Sequence, residues 1–138
     1  MYTRNSSVVF FSTLAGRSEP PVTDGTAISG LPVGTRAMLG GHPITAGESA
    51  ALLDDGTLAG SALTMDRAFQ KLVGTMKLSL LDAATLCSTT PARELGLVGH
   101  GILARDAIAD FVVLDDKFSV VQTYIAGELV YSRDSGTA

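Results

Sequence analysis

The sequence holds one cysteine and two histidines among its 138 residues, and each scarcity closes a class of function. Cys87 alone cannot form an internal disulfide, which points to a reducing, cytoplasmic setting. His42 and His100 lie far apart, with no companion histidine and no His-x-His or His-x-x-x-His spacing. Neither reads as a metal ligand on that ground. Ten basic against 14 acidic residues leave a net charge of -4. Nucleic-acid binding asks for a basic face and is disfavoured. No apolar run reaches the ~18 residues of a membrane span. Internal repeats and low-complexity tracts are absent from the sequence. Length sets a further bound: 138 residues suffice for one domain with a core, but a complete (β/α)8 barrel needs at least ~200.

Apolar residues make up 46% of the chain, the composition of a globular protein rather than a disordered one. Near the start, Val8-Val9-Phe10-Phe11 loosely imitates a secretory leader, but the block is short and only Arg4 precedes it. A buried strand or a disordered end is the reading favoured there. Glu19-Pro20-Pro21 forbids helix. Val22-Thr23 reads as the end of a strand reaching Asp24, and 25–34, with three glycines and a proline, reads as loop. Short strands are expected at 35–39, 43–46 and 50–53, separated by glycine-bearing turns.

After the Asp55-Gly56 turn, Leu58-Ala59-Gly60 is expected to form a short loop that exposes backbone before a helix. Met65, Ala68, Phe69, Leu72, Val73 and Met76 recur at helical spacing, with Thr64 as a possible cap and Asp66 in the first turn. Ser79 and Asp82 form a capping-box pattern for a second helix. Thr90-Pro91 opens a third, ended by Gly96. Phe111-Val112-Val113-Leu114 is a continuous apolar run; Val121, Thr123 and Ile125 alternate; Ala126-Gly127-Glu128 then turns the chain into Leu129-Val130-Tyr131. The tail from Ser132 reads as frayed.

Two positions invite a chemical reading, each beside a plainer one. Asp24 reads as a buried-looking carboxylate at a possible strand end, or it could merely cap the turn before Gly25. Gly60, lacking a side chain, permits close approach to the backbone of 58–60, or the stretch could be a simple helix entry with Ser61 and Thr64 as caps. Cys87 falls on an apolar helix face and reads as a buried neutral thiol. Asp110 and Asp115 read as strand-end and turn residues.

Three stretches, in order, resemble the C-terminal portion of the N-acetylglucosamine-6-phosphate deacetylases of the amidohydrolase superfamily. They are Val22-Thr23-Asp24-Gly25-Thr26-Ala27, then Asp55-Gly56-Thr57-Leu58-Ala59-Gly60-Ser61-Ala62-Leu63-Thr64-Met65, and Thr90-Pro91-Ala92-Arg93-Glu94-Leu95-Gly96-Leu97 leading into Ala109-Asp110-Phe111-Val112-Val113-Leu114-Asp115. The likeness runs from about Val22 to Tyr131. Asp106 departs from it, standing where the family usually has glycine; aspartate tolerates a positive φ better than most residues.

The resemblance implies an α/β chain: the partial C-terminal end of a (β/α)8 barrel, plus strands of the small amidohydrolase β-sandwich. In that scheme 1–21 is a divergent or poorly ordered segment, 22–98 the barrel end with a hairpin insert and helices, 99–132 the sandwich strands and 133–138 a tail. It also implies the hydrolysis of N-acetylglucosamine 6-phosphate to glucosamine 6-phosphate and acetate. Asp24 would take a proton from a metal-activated water and give it to the leaving amine, and Leu58, Ala59 and Gly60 would line the sugar site. The divalent metal, zinc or iron, would be held by a glutamate and two histidines of an N-terminal part absent from this sequence, so the isolated chain is expected to be inactive. The partner implied is a small amino-sugar phosphate, with neither nucleic acid nor membrane, and a homodimer is possible. Two alternatives stand beside this reading. One is a non-catalytic dimerisation or binding module that uses an uncovered helix face from Met65 to Met76. The other is a different amidohydrolase, dihydroorotase-like or imidazolone-hydrolysing.

Overall fold

The computed structural model describes residues 19–134. The expectations for the leader-like block at 8–11, for most of the 1–21 segment and for the tail beyond Asp134 lie outside the described residues. Chain contacts divide into two compact units, with Val22–Met65 in the first and Asp66 onward in the second.

The first unit is a four-stranded antiparallel meander. Strands β1 (Arg36–Leu39), β2 (His42–Ala46), β3 (Ala50–Leu53) and β4 (Leu58–Ser61) pair in sequence order. Gly40 and Gly41 both take positive φ, at 56° and 84°, so Leu39 can pair with His42 across a two-residue turn. Side chains alternate along β2, and Ile44 and Ala46 point inward. With Ala51 of β3 and Ile28, which the 25–34 loop delivers, they form a fully or almost fully buried cluster. Burying an isoleucine of this kind contributes about 1.5–3 kcal/mol. The expected loop at Leu58-Ala59-Gly60 is instead strand β4. Its pairing explains why it reads irregularly. Leu52 faces Leu58 and Ala51 faces Gly60, so Ala59 is an extra, bulged residue. The expected strand at Val22-Thr23 shrinks to one parallel bridge, Gly25 with Ser61. The prolines just upstream, which lack amide donors, stop any longer ladder.

The second unit opens with α1 (Met65–Gly74), whose first turn carries Asp66. Ala68 and Leu72 are buried, and Phe69, Val73 and Met76 are half-buried. Most of the apolar face of α1 is therefore covered, while Met65 at its start stays 43% exposed. Phe69 meets Phe118 edge-on at 5.9 Å, and the Gln70 amide donates to the Phe118 carbonyl at 3.1 Å. Helix α2 (Leu80–Ala84) is capped by Ser79, whose hydroxyl oxygen accepts from the Asp82 N–H at 3.1 Å. The two helices expected from here on are one continuous run: α2 passes into a π-helical turn, Thr85–Thr89, and then into α3 (Thr90–Glu94). Pro91 follows the wide turn and has no N–H to demand a partner within it. Gly101 packs against that turn, where a Cβ would fall 2.5 Å from the Ser88 carbonyl oxygen. Gly96, at φ 68°, ends α3.

Strands β5 (Phe111–Leu114), β6 (Val120–Ile125) and β7 (Glu128–Ser132) make a three-stranded antiparallel sheet in that order. Phe111 stacks on Tyr124 at 4.5 Å. The Asp110 carboxylate accepts the Ala126 N–H at 2.7 Å and so fixes the β6–β7 turn. Asp115 accepts N–H groups from Lys117 at 3.0 Å and Ser119 at 2.9 Å, and pairs with Arg133 at 2.7 Å. Both are turn-fixing residues, as the sequence suggested. The chain thus mixes strands and helices, but its sheets are separate and antiparallel, and among the described residues no barrel closes. No helix among them is long and apolar enough to cross a membrane.

Thr90 is fully buried and its hydroxyl has no hydrogen-bond partner among the described residues. Thr90→Val keeps the shape and removes an orphaned polar group, and should stabilise the chain by about 1 kcal/mol in urea unfolding; a loss of stability would show that the hydroxyl is satisfied. The Arg133 hydrogen bond, aided by the Ser119 N–H, holds the Asp115 carboxyl below its usual range. A depressed folded pKa stabilises above the unfolded value near ~4 and ceases to do so as pH falls through the folded value. Melting temperature should therefore fall more steeply below about pH 4 in the parent than in Asp115→Asn, and parallel acid limbs would contradict this.

Candidate functional site

Asp24 and the 58–60 stretch, 34 or more positions apart in sequence, lie side by side in the first unit. The Ser61 N–H donates to the Asp24 carbonyl at 3.3 Å, and the Thr26 N–H donates to the Ser61 carbonyl at 3.1 Å. These two bonds make the parallel bridge of Gly25 with Ser61. Asp24 sits at φ 49°, a left-handed conformation that aspartate tolerates. It is exposed rather than buried as the sequence suggested, because only its backbone is bridged to the sheet, and among the described residues its carboxylate has neither a hydrogen bond nor an ion pair.

The turn before β4 is built by its own acids. Asp55 accepts the Thr57 N–H at 2.9 Å, which holds its carboxyl below the usual range, and Gly56 follows at φ 84°. Asp54 pairs with Arg36 at 2.8 Å. Beyond the turn, Leu58 is exposed while Ala59 and Gly60 are half-buried, with Ala59 packed on the core cluster. Strand β4 ends the sheet, and its bulge interrupts the ladder. Edge and bulge together make the ladder irregular where the 24–26 segment attaches. Gly60, at φ 154°, faces Thr26: a Cβ there would fall 2.4 Å from the Thr26 methyl.

Two residues that sequence reasoning passed over complete the arrangement. The Thr26 hydroxyl donates to the Ser61 carbonyl at 3.0 Å, and the Ser29 hydroxyl donates to the same oxygen at 3.2 Å. The signal for them was weak: two small hydroxyl residues three apart in a glycine-flanked turn, closed by the Ser29 N–H on the Thr26 carbonyl.

The other candidates are structural. Asp106 takes φ 63°, the left-handed conformation its place in the sequence suggested. Cys87 is half-buried in the π-helical turn, and burial pushes its thiol pKa up, away from nucleophile chemistry. His42 is exposed at the β1–β2 turn. His100 lies with Nδ1 3.2 Å from the Val98 carbonyl and Nε2 4.0 Å from Asp110. Among the described residues, no three of His, Cys, Asp and Glu gather as a metal site would require, so these residues do not fit a resident metal.

No protein-family profile matches the chain. An N-acetylglucosamine-6-phosphate deacetylase of Danio rerio is 40% identical over 129 residues, covering 87% of this chain and 31% of its own length. Among solved structures, the N-acetylglucosamine-6-phosphate deacetylase of Thermotoga maritima superposes with a TM-score of 0.71 at 32% identity, over 83% of this chain and 31% of that one. A mutant deacetylase of Mycobacterium smegmatis, solved with N-acetyl-D-glucosamine-6-phosphate, gives 0.69 at 34% identity over 80% and 30%. In sequence and in fold, the chain resembles one portion of these enzymes and spans about a third of their length.

Gly60→Ala should destabilise the chain by about 2–4 kcal/mol, combining left-handed backbone strain with overpacking against Thr26. Gly34, at φ 88° with no atom within 4 Å of where a Cβ would stand, is the control that carries backbone strain alone. Equal urea midpoints for Gly60→Ala and Gly34→Ala would mean that Thr26 does not press on Gly60.

Proposed function

We propose that this chain supplies the C-terminal portion of a metal-dependent N-acetylglucosamine-6-phosphate deacetylase, with Asp24 as its proton carrier and Leu58, Ala59 and Gly60 lining the sugar site. The observation that carries the reading is the backbone contact of the Asp24 segment with the bulged edge of β4, where the Ser61 N–H donates to the Asp24 carbonyl, together with an Asp24 carboxylate that has no partner among the described residues. In the proposed reaction water attacks the acetamide carbonyl. Asp24 accepts the proton that the water gives up, then delivers it to the amine nitrogen as the C–N bond breaks. Glucosamine 6-phosphate and acetate leave. A solvated carboxylate suits both transfers, because it can accept and release a proton without unmaking structural hydrogen bonds.

A divalent metal, zinc or iron, would polarise the amide. Its ligands are assigned to the part of the relatives that this chain does not span, since the described residues hold no such cluster. In the same scheme 22–98 is the end of a barrel and 99–132 contributes strands to a small sandwich, in a cytoplasmic enzyme. That scheme calls for apolar surface to be covered by the rest of such an enzyme, and such surface is open here: Val98 is 91% exposed, Leu103 84% and Leu81 76%. Patches of this kind mark surfaces built to be covered. The same surfaces would serve a homodimer or a non-catalytic binding module, and the bulged edge beside Asp24 favours the enzyme.

The purified 138-residue chain should show no turnover of N-acetylglucosamine 6-phosphate with zinc or iron added, and turnover would overturn the need for a missing part. Residues 22–134 grafted in place of the matching third of the Thermotoga maritima enzyme should support deacetylation. Asp24→Asn in that graft should lower kcat by about 10²- to 10⁴-fold. A folded graft indifferent to Asp24→Asn would remove Asp24 from the chemistry.

A further inference from the structure

We infer that Thr26 is a positioning residue for the candidate site, acting through the Ser61 carbonyl to fix Asp24 against the 58–60 edge; the inference rests on the catalytic reading of Asp24 given above. Thr26 makes three separate contacts with β4. Its N–H and its hydroxyl both donate to the Ser61 carbonyl, at 3.1 and 3.0 Å. Its methyl fills the space where a side chain on Gly60 would lie. Two of these contacts fix distance and one fixes approach, so the residue two places beyond Asp24 sets where the Asp24 backbone stands relative to Gly60.

Asp24 needs such an anchor because little else holds it. Its side chain has no partner among the described residues, and its own backbone bond from Ser61 is long, at 3.3 Å. The segment is attached to the sheet by a single bridge rather than a ladder. Glycine on its C-terminal side adds backbone freedom. Ser29 strengthens the anchor: its hydroxyl reaches the same carbonyl at 3.2 Å, and a Cβ on Gly25 would fall 2.9 Å from that hydroxyl oxygen. A carbonyl oxygen offers two lone pairs. Three donors therefore share one acceptor, and removal of the Thr26 hydroxyl shifts the load to Ser29 without restoring the Thr26 geometry. Misplacement of a reacting group by about 1 Å costs up to 10²-fold in rate, so the anchor acts on turnover rather than on substrate affinity.

Two variants separate the contacts. Thr26→Val keeps the methyl and loses the hydroxyl, whereas Thr26→Ser keeps the hydroxyl and loses the methyl. In the 138-residue chain, amide hydrogen exchange at Ser61 should quicken about tenfold in Thr26→Val and change little in Thr26→Ser. In the graft of residues 22–134, Thr26→Val should lower kcat about 10- to 100-fold at unchanged KM, and Thr26→Ser should recover most of the loss. Unchanged exchange in Thr26→Val overturns the anchor. Faster exchange with kcat per folded molecule preserved overturns the positioning role and leaves a structural one. A graft insensitive to Asp24→Asn defeats the catalytic reading itself, a result separable from either of these.

Discussion

One oxygen atom, the Ser61 carbonyl, holds the candidate site together. It accepts from the Thr26 N–H, the Thr26 hydroxyl and the Ser29 hydroxyl, all from one short loop. Without it, the 22–30 segment would have no ladder to the sheet, because the bridge of Gly25 with Ser61 is its only strand-type pairing among the described residues. Ile28, fully buried in the core cluster, ties the same loop down from the apolar side. The two attachments differ in kind. Burial of Ile28 supplies free energy without direction, and the hydrogen bonds to Ser61 supply direction with modest net free energy, roughly 1 kcal/mol each. A loop that carries a reacting group needs both.

The core of the first unit is built from small residues, and that choice has a geometric cause. Ala46, Ala51, Ala59 and Ala62 surround Ile28 and Ile44. Alanine lets the loop backbone approach the sheet closely enough for hydroxyl-to-carbonyl contacts. The bulge follows from the same constraint: with Ala59 inserted, Gly60 returns to register against Ala51 while facing Thr26 on its other side. Larger residues at these positions would push the loop outward and break the bonds to Ser61 first, because those bonds depend steeply on distance and angle. The second unit solves a different problem. Its apolar helix face is largely covered, but Val98, Leu103 and the strand residues Val112, Val130 and Tyr131 remain open to solvent. Their burial requires surface that the described residues do not provide.

Much of this was legible in the sequence, for identifiable reasons. The β1–β2 hairpin was marked by paired glycines, which permit positive φ at the turn, and α1 by apolar residues at helical spacing on one face. Asp106 was legible as a left-handed position because aspartate is one of the few residues that accept it. Strand β4 was hidden, since Leu58-Ala59-Gly60 lacks alternation and a bulge destroys the period of two. The continuity of α2, the π-helical turn and α3 was hidden as well. Ser79 and Pro91 both signal helix starts, and nothing local tells that Pro91 sits inside a run made tolerant by a wide turn. The anchor on Ser61 was the least visible, because it depends on two segments brought together by the fold and on no spacing that a single sequence displays.

That anchor bears on the choice between the two readings of Asp24. A turn-capping aspartate declares itself by a side-chain hydrogen bond to a backbone N–H a few residues on, and this chain shows what that looks like. Asp55 accepts from Thr57, and Asp115 accepts from Lys117 and Ser119. Asp110 performs the same service across a hairpin, for Ala126. Asp24 stands before a glycine in an equally turn-like setting, yet accepts no such bond. Its turn is fixed by Thr26 and Ser29 instead, which relieves the carboxylate of structural duty. An acid so relieved keeps its lone pairs for a visiting proton, whereas an acid that caps a turn would have to break the turn in order to react. The division of labour within 24–29, hydroxyls to hold and a carboxylate left free, is the physical reason for preferring a chemical role for Asp24 over a capping one.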